Sequence, residues 1–425
     1  MVLGYVKKLG VCNIICIFVE REPQMELTNN TRGDEMTYFI IAGEASGDLH
    51  ARHLMDAIKA KDAEAVIRYW YRPELAYMGF VSVLMHLPEI LQGMKECRKA
   101  IQDACPDRLI LVDYPGFNLK IAAWFHKAFV RPCRLKGDVC PQVVYYIPPK
   151  IWAWKEGRIA QIRKYVDKVL SILPFEVEWY ADKYGYHVDY VGNPTLDEIT
   201  LFLASSSGDK AGKWRSSLGI AGSAKVVALL PGSRRQEIES NLPMMLRAAD
   251  AAGGDFCYVI ASAPDIPKEF YDNVIDAALG HSSSRLRDRV KLAPCQGSWS
   301  SFMLLQNAHA ALVTSGTATL ETAIMGVPQV VCYAMRCGKL VSFLRRFLLK
   351  VPYVSLVNLV VGREVVPELV AGGLTQTALD KCFSQILLDE ECRFAQRCGY
   401  DELMGRLGQP GAPERAAAKI VNRTQ

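Results

Sequence analysis

Long apolar stretches are missing from this 425-residue sequence. No run approaches the ~20 residues that cross a bilayer as a helix. Residues 9–19, behind Lys7 and Lys8, have the length and charge of a signal-peptide core, but Glu20, Arg21 and Glu22 follow where a small-residue cleavage site belongs. Residues 1–35 are therefore read as an appendage, disordered or not native, with folded sequence beginning at Met36. Metal-binding patterns are scarce as well. The 13 cysteines form no Cys-x-x-Cys pair and do not cluster with the seven histidines, which argues against structural zinc. Odd in number and spread along a long chain, they read as reduced thiols and not as a disulfide scaffold. Charge of one sign is lacking: 50 basic against 45 acidic residues leaves +5, too little over this length to point to nucleic acid. Internal repeats and low-complexity tracts are absent.

What is present is ordinary globular material, 50% hydrophobic and 22% charged, in a length that suits two or three domains. From Met36 a short apolar strand, a turn rich in Gly or Asp and a helix recur. Residues 37–42, 109–112 and 143–147 read as buried strands, and residues 49–60 have helical spacing. The same grammar restarts at Lys225 with strands at 226–230, 256–261, 310–313 and 329–333. Alternation of this kind implies parallel sheets covered by helices. Gly and Ser enrichment at 205–208 and 219–223 suits a boundary near 195–222. The expected fold class is α/β, two Rossmann-like doubly wound parallel-sheet domains facing a cleft. Residues 36–200 form the first domain, 222–400 the second, and 401–425 a C-terminal helix that packs back on the first.

In open parallel sheets ligands bind beyond the carboxyl ends of the strands, and four such places carry chemistry. Gly43, Glu44, Ser46, Gly47 and Asp48 lie between the first strand and its helix, where glycines admit close backbone approach and a helix start offers N–H groups to an anion. The spacing is neither G-x-G-x-x-G nor G-x-x-x-x-G-K-[ST], which counts against a dinucleotide oxidoreductase and a P-loop ATPase. A tight turn capped by Ser46 or Asp48 is the plainer alternative. Asp113 follows a strand and precedes Tyr114-Pro115-Gly116, so its carboxylate can take a proton from a substrate hydroxyl or cap a helix. Gly232, Ser233 and Arg234 combine main-chain N–H groups, a hydroxyl and a guanidinium, a set suited to a diphosphate or to a solvated basic turn. Residues 314–321 place small hydroxyl residues at a helix start with Glu321 one turn in, positioned for ribose hydroxyls. A capping box explains part of that pattern.

At these residues the chain resembles the lipid-A-disaccharide synthase family of inverting GT-B glycosyltransferases. The motifs are GEASGDLH (43–50), AYMGF (76–80), DYPGFN (113–118), PKIWAWKEGRI (149–159), VGNP (191–194), PGSRRQEI (231–238), TSGTATLE (314–321) and VSLVNLVVGREVVPEL (354–369). The resemblance implies transfer of 2,3-diacylglucosamine from its UDP conjugate to the 6-hydroxyl of 2,3-diacylglucosamine 1-phosphate, giving lipid A disaccharide 1-phosphate and UDP. It implies Asp113 as general base, Gly232, Ser233 and Arg234 on the diphosphate, Ser315, Gly316, Thr317 and Glu321 on the nucleotide, and Asn358 near the donor. Asp-x-Asp is absent from the sequence, which fits transfer without a metal or other cofactor, with Arg and helix-end dipoles in the cation's place.

The partners expected are the two acylated substrates, the membrane surface and a second copy in a homodimer, with no nucleic acid. The expected location is cytoplasmic, peripheral to the inner membrane. A membrane-facing stripe is read at Val81, Val83, Leu84, Leu87, Ile90 and Leu91, trailed by Lys95, Arg98 and Lys99, with residues 340–350 the second candidate. Trp152 and Trp154 read as packing or as sugar contacts, and His50 and His53 as ordinary surface or capped histidines. Three departures from the family pattern stand out: only residues 71–75 precede AYMGF, Pro148 replaces a Ser, and 129–140 is long. The competing readings are another UDP-sugar enzyme such as a UDP-N-acetylglucosamine 2-epimerase, and an inactive protein that binds UDP or lipid.

Overall fold

The computed structural model describes residues 35–72, 74, 85–205, 210–264, 266–280, 284–295, 299–314, 316–334 and 352–422. Thr37–Ala42 (β1), Val66–Tyr71 (β2), Arg108–Val112 (β3), Gln142–Tyr146 (β4), Lys168–Ser171 (β5) and Asp189–Tyr190 (β6) form a parallel sheet in the order β2-β1-β3-β4-β5-β6. Lys225–Leu230 (β7), Phe256–Ala261 (β8), Val290–Ala293 (β9), Ala308–Val313 (β10), Gln329–Tyr333 (β11) and Glu368–Val370 (β12) form a second, in the order β12-β11-β10-β7-β8-β9. Both are the expected doubly wound α/β sheets. Central strands such as β3 and β7 are nearly continuous Val, Ile and Leu because helices cover both faces.

Strand order decides where ligands go. It reverses between β1 and β3 in the first sheet and between β7 and β10 in the second, and a crevice opens at the carboxyl ends of the strands on either side of such a reversal. The four motifs chosen above follow β1, β3, β7 and β10. Sequence position and topology therefore converge on the same two crevices.

The two halves share one apolar cluster, in which Trp152, Leu173 and Leu196 meet Leu320, Ala323, Val357 and Leu403. The last helix, Ala412–Val421, lies on the helix Ala45–Lys61 of the first half, burying Ala416, Ala417 and Ile420 beside Leu54 and Ile58. Asp197 accepts N–H bonds from Gly411 and Ala412, and Arg415 Nε donates to the Val191 carbonyl at 2.8 Å. Gly192 has a φ of 95°, and a Cβ there would lie 2.0 Å from Arg415 Nη2, so Gly in VGNP is required by this clasp.

Candidate active site

Asp113 leaves β3 in the left-handed region at φ 46°, and Tyr114 repeats it at φ 44°. Two such residues in succession are strained, Tyr more than Asp, and strain of this kind persists only where surroundings fix it. Here the Tyr145 hydroxyl donates to the Asp113 carbonyl at 2.6 Å, and Asn118 Nδ2 donates to the same oxygen at 2.8 Å and to the Val112 carbonyl at 3.2 Å. Pro115 then starts the helix Pro115–Phe125 with φ preset. The spelling DYPGFN is thus a device for turning the Asp113 side chain out of the sheet. The helix has no side-chain cap, so capping is not what Asp113 does.

Across from it, Glu44 is the N-cap residue of Ala45–Lys61, again without a side-chain cap. Gly43 packs so closely on the Tyr114 ring that a Cβ would lie 2.4 Å from Cγ and Cδ1. Tyr114 stacks on Phe117 and Phe117 on Trp70, so the ring has no easy retreat. Gly43→Ala should therefore displace the Asp113 turn, costing about 1–3 kcal/mol of stability by overpacking. A lowered melting temperature with a larger loss of turnover is the expected result. Burial pushes the Asp113 carboxyl above the usual carboxylate range, opposed by Lys150, the Tyr114 amide and Arg158. Burial also raises Glu44, then Asp113 adds to the rise, while Arg234 and Lys150 oppose it. Glu44 on the first half thus shares its electrostatic environment with Arg234 on the second.

The second crevice holds a pocket of about 470 Å³. It is lined by Gly232, Ser233 and Arg234 after β7, by Gly316, Thr317 and Glu321 after β10, and by Ala263, Pro264 and Cys295 after β8 and β9. Gly232 sits at φ 119°, a conformation that suits Gly. Ser233 N–H donates to Glu237 Oε2 at 3.1 Å, and Arg234 Nη1 lies 3.4 Å from Glu237 Oε1. A carboxylate thus occupies the anion-facing side of this turn, where a phosphate oxygen could accept the same bonds. The helices Arg235–Ala252 and Thr317–Ile324 also begin without side-chain caps on their N-cap residues. All four helices that follow the motifs therefore present N–H groups toward the crevices, the arrangement that favours anions. Thr314, 3% exposed, lines the pocket with a hydroxyl that has no partner among the described residues.

Burial pushes the Glu321 carboxyl up to about 7. Glu198, on the adjoining helix Pro194–Ser205, is likewise pushed up to about 7 by burial, then by Glu321 and Asp197. His50 Nδ1 lies 3.6 Å from Glu198, and burial followed by His53 lowers its imidazole to about 4, so it is neutral at pH 7. Among the described residues no group of three or more His, Cys, Asp and Glu side chains is arranged to hold a metal ion.

Several candidates are used elsewhere. Asp48 accepts a 2.6 Å bond from the Tyr69 hydroxyl and pairs with Arg52 at 3.0 Å, so it braces β2. Neither Asp48 nor the exposed Ser46 caps the helix, and Gly47 is buried beside Ala42 and Val112. Asn358 is fully buried and spends its whole amide on protein: Nδ2 donates to the Val366 carbonyl and to Glu368, and Oδ1 accepts from Val365 and Val366 N–H. It shapes the turn before β12. Trp152 is core, its indole donating to Glu176 at 2.7 Å, whereas Trp154 is half exposed under Lys155. Ser315, Val81, Val83, Leu84 and the segment 340–350 lie outside the described residues. Leu87, Ile90 and Leu91 are partly buried on the helix Leu87–Ala104, whose fully buried positions are Gly93, Met94, Cys97 and Ile101. Sequence reasoning included Thr314 and Glu237 only as members of their motifs and passed over Ala263, Pro264 and Cys295. The last three follow β8 and β9 with no motif, and only the strand order marks them.

The model of the family described as lipid-A-disaccharide synthetase matches residues 38–404. The chain is 35% identical to the lipid-A-disaccharide synthase of Myxococcus xanthus over 90% of this chain and 96% of that one. Against the enzyme of the same name from Syntrophus aciditrophicus it is 34% identical, with the same coverage. Among solved structures it resembles the UDP-GlcNAc 2-epimerase of Methanocaldococcus jannaschii in complex with UDP-GlcNAc and UDP, at TM-score 0.59 and 12% identity, over 91% of this chain and 99% of that one. The Neisseria meningitidis UDP-GlcNAc 2-epimerase bound to UDP-GlcNAc is similar at TM-score 0.58 and 12% identity, over 91% and 98%. At such identity these structures speak for the two-domain fold alone.

Proposed function

The chain belongs to the lipid-A-disaccharide synthetase family, and we propose from that premise how its residues divide the work. The reaction is that of a GT-B glycosyltransferase: 2,3-diacylglucosamine passes from its UDP conjugate to the 6-hydroxyl of 2,3-diacylglucosamine 1-phosphate, and lipid A disaccharide 1-phosphate and UDP result. One observation carries the assignment of roles. A pocket lined by uncapped helix starts, Arg234 and Glu321 lies at the β7/β10 reversal, and a half-buried carboxylate on a strained turn lies at the β1/β3 reversal.

Asp113 takes the proton of the acceptor's 6-hydroxyl as that oxygen attacks the donor's anomeric carbon. A base with a raised pKa in a dry setting suits a hydroxyl nucleophile. The Gly232–Ser233 amides, Arg234 and the start of Thr317–Ile324 take the diphosphate. Negative charge grows there as UDP leaves, so fixed donors lower the barrier as well as hold the ground state. Glu321 accepts from the ribose hydroxyls. Arg234 and the helix dipoles serve in place of a divalent cation, and transfer proceeds without metal or other cofactor.

The acyl chains enter from a membrane surface, with the stripe ending at Leu91 on the first half as the docking face and a homodimer as the assembly. The location proposed is cytoplasmic, peripheral to the inner membrane. No helix among the described residues is long and apolar enough to cross a membrane.

The test is an incubation with both acylated substrates in EDTA, with products read by mass spectrometry. Disaccharide and UDP are expected; turnover of water-soluble UDP-N-acetylglucosamine with no disaccharide would favour epimerase chemistry. A pH prediction accompanies it. Glu321 accepts hydrogen bonds best when ionised, and its carboxyl titrates near 7. UDP affinity should therefore rise between about pH 6 and pH 8, and Glu321→Gln should bind more weakly with that rise flattened. Calorimetry at the two pH values decides it.

A further inference from the structure

We propose that Lys150 recognises the phosphate of the acceptor, an inference that rests on the reading above and adds the residue that selects its second substrate. Lys150 stands at the crest of a rigid turn after β4. Ile147 leaves the strand in the left-handed region at φ 60°, its N–H held by the Leu170 carbonyl at 3.1 Å. Pro148 and Pro149 are buried and restrict the backbone that follows. The Pro149 carbonyl accepts from Ile151 N–H at 2.7 Å, and the Lys150 carbonyl from Ala153 N–H at 3.1 Å. Two residues on, Trp152 is locked in the core by Glu176, itself bonded to Ser171. The main chain at Lys150 is fixed on both sides while its side chain is exposed.

That crest adjoins the general base. β3 and β4 pair in register, Val112 beside Tyr146, and Asp113 N–H donates to the Tyr146 carbonyl at 3.3 Å. The Lys150 charge acts on Asp113, on Glu44 and on Glu176, yet among the described residues its ammonium makes no hydrogen bond or ion pair. Arg158, further along the same segment after β4, adds a second positive charge acting on Asp113. A cation without a contact partner, on a main chain fixed beside the carboxylate that receives the acceptor, is suited to an anion arriving with that acceptor. The acceptor brings one. In glucosamine 1-phosphate, the carbon bearing the phosphate and the carbon bearing the reactive hydroxymethyl group flank the same ring oxygen. With the 6-hydroxyl on Asp113, the phosphate therefore lies within one sugar ring of the base.

The experiment compares the phosphorylated acceptor with its 1-dephosphorylated counterpart in wild type, Lys150→Gln and Lys150→Arg, each with UDP-diacylglucosamine. Lys150→Gln should raise KM for the phosphorylated acceptor about tenfold or more, with a smaller effect on kcat, the scale of one charge-assisted hydrogen bond. The ratio of kcat/KM between the two acceptors should fall by the same factor, and Lys150→Arg should restore most of it. An equal loss on both acceptors, leaving the ratio unchanged, would show that Lys150 acts only through Asp113 and would overturn the inference alone. A wild type indifferent to the phosphate would also overturn it. A wild type that forms no disaccharide from either acceptor would overturn the functional reading first, and this inference with it.

Discussion

Asp113→Asn should lower kcat by about 10²-fold or more while leaving UDP affinity close to that of the wild type. Asn fills the same space and keeps the left-handed φ of 46°, which Asn tolerates as well as Asp does. The turn is fixed mainly through the Asp113 carbonyl, which accepts from Tyr145 and Asn118, and the substitution leaves those bonds in place. What is lost is the group proposed to accept the proton. The crevice proposed for UDP is the other one, so UDP affinity reports folding of that half independently of the chemistry. A variant within a few-fold of wild type would remove Asp113 from the mechanism.

The second large effect belongs to Arg234. Removing its guanidinium in Arg234→Ala should weaken UDP binding and slow transfer together, each by about ten- to a hundredfold, the range for a lost hydrogen bond to a charged group. Two features of the structure shape the result. Arg234 is the N-cap residue of Arg235–Ala252 but offers no side-chain cap, so little helix stability goes with it. Its neighbour Glu237 would remain bonded to Ser233 N–H with no guanidinium to offset its charge, and an uncompensated carboxylate beside the diphosphate adds to the loss. Arg234→Lys should recover only part, because an ammonium lacks the planar fork that meets two phosphate oxygens. Calorimetry with UDP and initial rates on the lipid substrates read the two halves of the effect. Normal affinity with normal turnover would place the diphosphate elsewhere.

The central strands of both sheets were legible in the sequence because a strand buried on both faces is a continuous Val, Ile and Leu run. Edge and short strands were not. β2, VIRYWY, sets Arg68 and Tyr69 side by side within an apolar run, β6 is Asp189–Tyr190 alone, and β12 is Glu368–Val370; each has one paired side or too few residues to show a period. The positions of Asp113, Arg234 and Glu321 after β3, β7 and β10 were legible because each follows a strand in a turn whose residue types are unusual. The partners of Asp48 were not legible for a tertiary reason: Tyr69 is on β2, a strand the periodicity did not reveal. Those of Asn358 were hidden likewise, since only the fold brings Val365, Val366 and Glu368 around its amide. The wall at Ala263, Pro264 and Cys295 and the crest at Lys150 carry ordinary residue types, and their place at the cleft comes from strand order and register.

In the proposed mechanism a single base, Asp113, delivers the acceptor oxygen directly to the donor's anomeric carbon while UDP leaves from the opposite side. The measurement closest to that claim is the proton coupling at the newly linked anomeric centre of the disaccharide, determined by NMR and compared with that of the UDP donor. One displacement predicts an inverted centre. A retained configuration would require a second displacement or a front-side path, and would contradict the role given to Asp113.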